Sequence, residues 1–315
     1  MQLKALDLFC GGGGSSLGAE AAGVEIICGV DAWDIASKTY QSNFPRAAAR
    51  NLILTEDTTP ADLDIDFDGV NLILASPECT NHTCAKGAAP RDEDSKRTAR
   101  YILNFARDLA PRWIALENVT QMRKWEGFAP LISELESFGY NIRQQVIDAA
   151  TLGVPQTRRR LFLLCDLERM PDEVPTREGP PATVLDILDP LGTWRSRPLH
   201  LEGRAANTLK RAETAMSALG RGVDFLIVYY GSDASGGWQP LDRPLRTMTT
   251  LDRFGLVTWE GDTPMLRMLQ VPELKRAMGF TGELLHGSRR DRVKLLGNGV
   301  CAPVMEAIIG TLTGK

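Results

Sequence analysis

Three stretches carry side chains suited to chemistry, two of them at the end of an apolar run. Cys79 follows Val70, Leu72, Ile73, Leu74 and Ala75, and that run stops at Ser76-Pro77. A short unbroken apolar run with β-branched residues predicts a strand buried on both faces, as in a parallel sheet. Proline donates no ladder hydrogen bond, so the strand ends there and Cys79 falls on the loop leaving its carboxyl end. Open α/β sheets bind ligands at that edge. A thiol in this place is either a nucleophile or a small buried hydrophobe, and the stretch alone leaves both open. Glu117 directly follows a second apolar run, 113–116. A carboxylate at the end of a central strand is costly to bury without a partner. It is either a working group of a site or a helix cap or surface acid. The third position is the run Arg158-Arg159-Arg160, where strand alternation puts Arg158 and Arg160 on one face and Arg159 on the other.

A second set of residues is suited to holding a ligand. Residues 3–9 read as a strand, Cys10-Gly11-Gly12-Gly13-Gly14 as a tight turn, and 15–22 as a helix with Ser15 or Ser16 as its N-cap. Strand, glycine loop and helix open a nucleotide-binding α/β unit. The glycines let the backbone approach a ligand and leave N–H groups pointing at it. Gly23 stops the helix, and 24–30 is a second buried strand ending in Asp31, 20 residues after Gly11. That interval suits an acid that hydrogen-bonds ribose hydroxyls, so loop and acid together imply an adenosine-bearing cofactor. A nicotinamide dinucleotide fits less well, because Gly14 is followed by Ser15, Ser16 and Leu17 before the next glycine, Gly18.

The remaining chain supplies the frame. Residues 35–40, 95–109 and 128–138 read as helices, and 141–147 and 160–165 as a strand pair. The polar stretch 80–94 resembles loops that close over sites. After Asp166 the texture changes: prolines at 171, 175, 180, 181, 190 and 198 mark a boundary. From there to about 265 no βαβ rhythm appears. Residues 225–230 read as a strand, 231–237 as a loop and 246–250 as a polar extended piece. A helix over 266–278, interrupted near Pro272, and an apolar helix over 303–312 close the chain. The expected division is 1–170 for a ligand-binding α/β domain, 171–265 for a small second domain, and 266–315 for a segment returning to the first.

Composition bounds the class. The chain has 315 residues, 43% hydrophobic and 24% charged, which suits a globular protein with ample core. No apolar run reads as long enough to span a membrane, and the N-terminus lacks a signal-peptide layout, so an intracellular protein is expected. The six cysteines (10, 28, 79, 84, 165, 301) have no pairing spacings and are expected reduced. Cys79, His82 and Cys84 lie close together, but no second ligand pair follows, so no metal is expected. Net charge is −4, yet 194–221 holds six cations (Arg195, Arg197, Arg204, Lys210, Arg211, Arg221) against Glu202 and Glu213. Residues 289–294 hold four cations against Asp291. Such segregation points toward a polyanionic partner.

Five stretches, in order, resemble the DNA cytosine-5 methyltransferase family. They are Asp7-Leu8-Phe9-Cys10-Gly11-Gly12-Gly13-Gly14, Pro77-Glu78-Cys79, Glu117-Asn118-Val119, Gln156-Thr157-Arg158-Arg159-Arg160 and Gly297-Asn298-Gly299-Val300. Arg243-Pro244 through Thr250, and Arg267 through Phe280, are similar to the family's late motifs. The resemblance covers nearly the whole chain except about 171–240.

The resemblance implies a Rossmann-like, S-adenosylmethionine-dependent methyltransferase domain with a mostly parallel sheet, plus a smaller irregular target-recognition domain. Cys79 would add to cytosine C6, turning the ring into an enamine that attacks the methyl donor. Glu117 would bind the N3/N4 edge and favour protonation at N3. Arg158 and Arg160 would hold the flipped base or its phosphate and help position Cys79. For the donor, the resemblance places Phe9 on the adenine, Gly11 and Gly13 under the methionine part, and Asp31 on the ribose, with Cys10 also among the donor-binding residues and Asn298 and Val300 closing the pocket. Three donor-side positions depart from the family. Glu78 stands where proline is usual and would approach the methyl-bearing end, Ala32 replaces a larger residue over the adenine, and Asn51 stands where an acid commonly contacts it. Thr80 likewise replaces a usual glutamine. The implied partner is double-stranded DNA, bound by a monomer without metal or membrane. A tRNA cytosine-5 methyltransferase, or a catalytically silent nucleic-acid-binding relative, is the alternative.

Overall fold

The unbroken apolar runs form the middle of one sheet in a computed structural model that describes residues 2–77, 97–230 and 237–314. β1 (Lys4–Leu8) leads through the glycine loop to α1 (Gly14–Ala21), β2 (Glu25–Asp31), α2 (Asp34–Asn43) and β3 (Ala48–Asn51). Next come β4 (Leu72–Ala75), α3 (Ile102–Leu109), β5 (Trp113–Asn118) and α4 (Phe128–Ser137), then a hairpin of β6 (Asn141–Asp148) and β7 (Arg159–Asp166). The strand order is β3-β2-β1-β4-β5-β7-β6. The first five strands of that order pair in parallel, and β7 runs antiparallel to β5 and β6. Alternation along the strands feeds two cores. Leu6, Leu8, Ile73, Ala75, Ile114 and Leu116 pack on one face, and Ala5, Leu72, Leu74, Trp113 and Ala115 on the other.

Register brings the working ends together. Leu8 pairs with Ala75 and Ala75 with Leu116, so the chain leaves β1, β4 and β5 at one edge. Ser76 stitches two of these exits, its N–H donating to the Leu8 carbonyl (3.1 Å) and its hydroxyl to the Phe9 carbonyl (2.9 Å). β5 runs two residues further than its apolar core, so Glu117 lies inside the strand, paired with Phe162.

The expected serine N-cap is replaced. Gly13 occupies the N-cap of α1 without a side-chain hydrogen bond. The Ser16 hydroxyl instead reaches Asp7 (2.7 Å) and the Tyr40 hydroxyl (2.7 Å). Asp7 is completely buried, and its second carboxyl oxygen has no partner among the described residues. Burial pushes this carboxyl up to about 7 from the ordinary 3.8. Between those values the folded chain keeps a proton that the unfolded chain releases, so stability falls as pH rises through that window. At about 1.4 kcal/mol per unit, the loss from about pH 5 to pH 7 is roughly 3 kcal/mol. Asp7→Asn mimics the protonated acid and should lack this slope. Urea denaturation at about pH 5 and pH 8 should show the parent losing roughly 3 kcal/mol more than the variant; parallel pH dependences would rule out a protonated Asp7.

The second domain is a five-stranded antiparallel sheet rather than an irregular region. It comprises β8 (Arg197–Pro198), β9 (Phe225–Val228), β10 (Trp238–Pro240), β11 (Phe254–Glu260) and β12 (Thr263–Met268), in the order β10-β9-β11-β12-β8. The helix α5 (Ala206–Leu219) covers one side through Ala212 and Ala215, which meet Phe225 and Ile227. Leu226 and Val228, on the opposite face of β9, join the core of the first domain. Both faces of β9 are therefore dry, in keeping with the unbroken apolar run that marked 225–230 as a strand. Residues 171–190 also join the first domain, burying Val174, Val184 and Ile187 there. Of the basic run, Arg204 donates to the Leu199 and Pro198 carbonyls, Arg211 to the Tyr230 carbonyl, and Arg221 lies 5.7 Å over Trp259. Arg195, Arg197 and Lys210 stay exposed.

The expected helix over 266–278 is corrected. Leu266 and Arg267 belong to β12, and Pro272 opens α6 (Val271–Arg276) instead of interrupting it. Proline lacks only an N–H that the first turn leaves unused. Two helices follow, α7 (Arg289–Asn298) and α8 (Ala302–Thr313). Taken as one run, Arg289–Thr313 is long and apolar enough to cross a membrane, with a window of mean hydropathy 1.5, contrary to the reading that no such run exists. The structure breaks it between α7 and α8 and packs it on α1. There Gly14 and Gly18 leave room for the Val300 and Ala302 carbonyls, each within 2.3 Å of where a Cβ would stand.

Candidate active site

A cavity of about 320 Å³ opens at the shared carboxyl edge. Phe9, Cys10, Gly11, Asp31, Ala32, Glu117, Arg158, Arg160, Asn298 and Val300 all line it, so ten sequence-predicted site residues meet there. Gly13 and Asn51 do not line it. A Cβ on Gly13 would lie 2.3 Å from the Phe44 ring, so packing against α2 requires this glycine. The Asn51 amide donates to the Asp31 carbonyl (3.1 Å) and to the Ser37 hydroxyl (3.4 Å). Glu78, Cys79 and Thr80, with His82 and Cys84, lie outside the described residues.

At one end, the Asp31 carboxylate accepts from the Gly11 N–H (2.9 Å) and the Trp33 N–H (2.8 Å). Burial raises its pKa, opposed by these two hydrogen bonds and by the charge of Lys294. Phe9 sits at φ 59°, a left-handed conformation strained for a bulky residue, and turns the chain into the glycine loop. Gly11, at φ 53°, has open space where a side chain would stand. Sequence reasoning missed four contributors here. Trp33 lines the cavity one residue beyond Ala32, and Lys294 lies 4.3 Å over its ring. Leu52 and Ile53 line the wall expected from Asn51. The aromatic residue so close after Asp31 was the available signal.

At the other end, Glu117 is buried and ion-paired, with Arg160 Nε 3.0 Å from its carboxylate. The antiparallel register makes this pair. Glu117 opposes Phe162, so Arg160, two residues back along β7, is its diagonal neighbour on the same face. Burial raises the Glu117 carboxyl above the usual range, while Arg160 and Arg158 oppose the shift. Asn118 donates to the Pro77 carbonyl (3.1 Å), tying Pro77, two residues before Cys79 in the sequence, to the end of β5 next to Glu117. Arg158 is also buried, but its guanidinium donates to the carbonyls of Met248, Gly297 and Gly299 (3.2, 2.9 and 2.9 Å). It ties three segments together, where a base or phosphate contact was expected. Gln156 completes this join, donating to the Ala277 carbonyl (2.9 Å) and accepting from the Met248 N–H (2.8 Å).

The described cysteines are Cys10, Cys28, Cys165 and Cys301, all buried. Burial pushes every one of these thiols up, Cys28 to about 12 and Cys301 to about 11, which keeps them protonated and inert. Among the described residues no cluster of three or more His, Cys, Asp or Glu could hold a metal.

Comparison with known proteins agrees with this geometry. Type II methyltransferase M.HgiDI of Herpetosiphon aurantiacus is 37% identical over 165 residues, which are 51% of this chain and 52% of that protein. M.HindV of Haemophilus influenzae is 32% identical over 164 residues, again 51% and 52%. The chain thus spans about half the length of these curated relatives. The solved structure of the Entamoeba histolytica methyltransferase EhMeth superimposes with a TM-score of 0.71 at 16% identity, covering 100% of this chain and 98% of that one, a likeness of fold. A family model described as C-5 cytosine-specific DNA methylase matches residues 3–314. The chain belongs to the C-5 cytosine-specific DNA methylase family.

Proposed function

We propose that this chain transfers a methyl group from S-adenosylmethionine to C5 of a cytosine in double-stranded DNA, as a monomer and without a metal, with Cys79 as nucleophile. The observation that carries the reading is the carboxyl edge. Glu117 lies buried in the cavity wall on Arg160, and Asn118 grips Pro77 where the chain departs toward Cys79.

The residues fit the donor. The cavity is of small-molecule size. Phe9, Trp33 and Ile53 offer flat or apolar surface for a purine, and Asp31 offers acceptors for hydroxyls. When bound, S-adenosylmethionine supplies an electrophilic methyl group. The chain prepares the acceptor. Cytosine C5 is a poor nucleophile, and the Cys79 thiolate adding at C6 makes it an enamine carbon. Glu117 holds the N3/N4 edge and gives N3 a proton as negative charge develops there. C5 attacks the methyl carbon as its bond to sulfur breaks and S-adenosylhomocysteine leaves; the C5 proton then goes to water, Cys79 is expelled, N3 returns its proton to Glu117 and the ring regains aromaticity. The base reaches such a pocket only by leaving the helix. Exposed Arg195, Arg197 and Lys210 suit phosphate contacts.

Asp31→Ala should weaken S-adenosylmethionine binding by about 1–3 kcal/mol, the scale of a lost charged hydrogen bond. Calorimetry showing unchanged affinity would remove Asp31 from the donor site. The reading as a whole is tested with tritiated donor, offering duplex DNA and tRNA as acceptors. Label should enter duplex DNA as 5-methylcytosine, with binding that weakens steeply as salt is raised. Label in tRNA alone would replace the acceptor, and label in neither would overturn the proposal.

A further inference from the structure

A cation from the far end of the chain sits on the wall of the cavity. The Lys294 Nζ lies 4.3 Å from the centre of the Trp33 ring. Both side chains line the cavity, as do Asp31 and Asn298. Trp33 stands at the N-cap of α2, where its N–H also donates to the Asp31 carboxylate (2.8 Å). Lys294 belongs to α7, one turn before Asn298 on the same helix face. The contact therefore joins the first α/β unit to the C-terminal segment across the cavity wall.

Lys294 is not drawn there by an acid of its own helix. Asp291 is the one acid of α7, and its carboxylate is committed to the Ser288 N–H (2.9 Å) and hydroxyl (2.6 Å). An exposed lysine ordinarily leaves its head in water. Here the head lies on an indole, close enough to Asp31 for its charge to favour the ionised carboxylate against burial. Of the other titratable groups near Asp31, Asp7 on β1 and Cys10 on the glycine loop are held protonated by burial below about pH 7. That leaves Lys294 as the charge that stabilises the Asp31 carboxylate.

We propose that Lys294 is a positioning residue for the donor. Seated on Trp33 and close to Asp31, its ammonium holds the indole as a fixed wall and keeps the carboxylate available to the ribose hydroxyls. The proposal rests on the donor reading above. Lys294 acts through Trp33 and Asp31, not on the reacting methyl group.

The test measures S-adenosylhomocysteine binding by calorimetry at about pH 8 and about pH 5, each variant against the parent at the same pH, so that titration of Asp7 cancels. Lys294→Met keeps the reach of the side chain and removes its charge, whereas Lys294→Arg keeps a charge that stacks on aromatic rings. Lys294 is exposed, so both variants should fold as the parent does. At about pH 8 Lys294→Met should bind about two- to five-fold more weakly, the worth of one exposed cation over a ring. At about pH 5 the deficit should widen to about ten-fold or more, because Asp31 without the cation takes its proton at higher pH. In an Asp31→Asn background, which has no proton to take, adding Lys294→Met should give the same deficit at both pH values. Lys294→Arg should stay within about two-fold of the parent throughout. Parental affinity in Lys294→Met, a deficit independent of pH when Asp31 is present, or equal losses in Lys294→Arg and Lys294→Met would overturn the Lys294 assignment alone. A parent that binds no S-adenosylhomocysteine would overturn the donor reading, and this assignment with it.

Discussion

Cys79→Ser should lower single-turnover methyl transfer by about a thousand-fold or more, the scale of removing the nucleophile from a concerted set. Burial has raised the thiols of Cys10, Cys28, Cys165 and Cys301 and leaves each without the thiolate that attack requires. β4 ends at the edge where the cavity opens, Cys79 follows it in the sequence, and Asn118 fixes Pro77 two residues earlier. Cys84 is the internal control, since it carries the same thiol chemistry five residues later in the sequence. A duplex with 5-fluorocytosine at the target should trap a denaturation-resistant adduct on the parent and on Cys84→Ser, because C5 then has no proton to lose. Cys79→Ser should trap none. An adduct of parental yield on Cys79→Ser would discard the assignment, and its loss on Cys84→Ser would move the nucleophile there.

Much of this arrangement was legible in the sequence because it depends on local signals. β4 and β5 announce themselves as dry strands, since strands covered on both faces carry no polar alternation. Gly11 and Asp31 are linked by an interval that one βαβ unit fixes, and their hydrogen bond follows from it. What was not legible depends on long-range choices. Arg160 meets Glu117 only because β7 inserts antiparallel between β5 and β6. Arg158 looked like a ligand-binding cation, and only the return of 248 and of 297–299 to the first domain shows it tying backbone together. The stretch 264–269 suits a helix or a strand equally until β11 offers it an antiparallel partner. Ser15 and Ser16 were interchangeable as caps, and the fold separates them by giving one to Asp7 and leaving the other open to the cavity.

Glu117→Gln should cut methyl transfer by roughly a hundred- to a thousand-fold, within the range for losing a positioned proton donor. The variant keeps an N–H donor and a carbonyl acceptor of similar shape, so contact with the N3/N4 edge survives in part while the transferable proton does not. Burial holds the Glu117 carboxyl above the ordinary range even with Arg160 beside it, so a protonated fraction persists where an exposed glutamate would be ionised. An acid that works protonated loses activity as pH rises through its own pKa. The parent's rate should therefore fall with rising pH across a limb that Glu117→Gln lacks. Removing the carboxylate also leaves Arg160 without its counter-ion, which destabilises a largely buried charge. Melting temperature and donor affinity are measured alongside to separate that effect from the chemistry. A folded variant that binds donor and transfers methyl within ten-fold of the parent, on the same pH profile, would leave Glu117 as a structural partner of Arg160 and return the N3 proton to solvent.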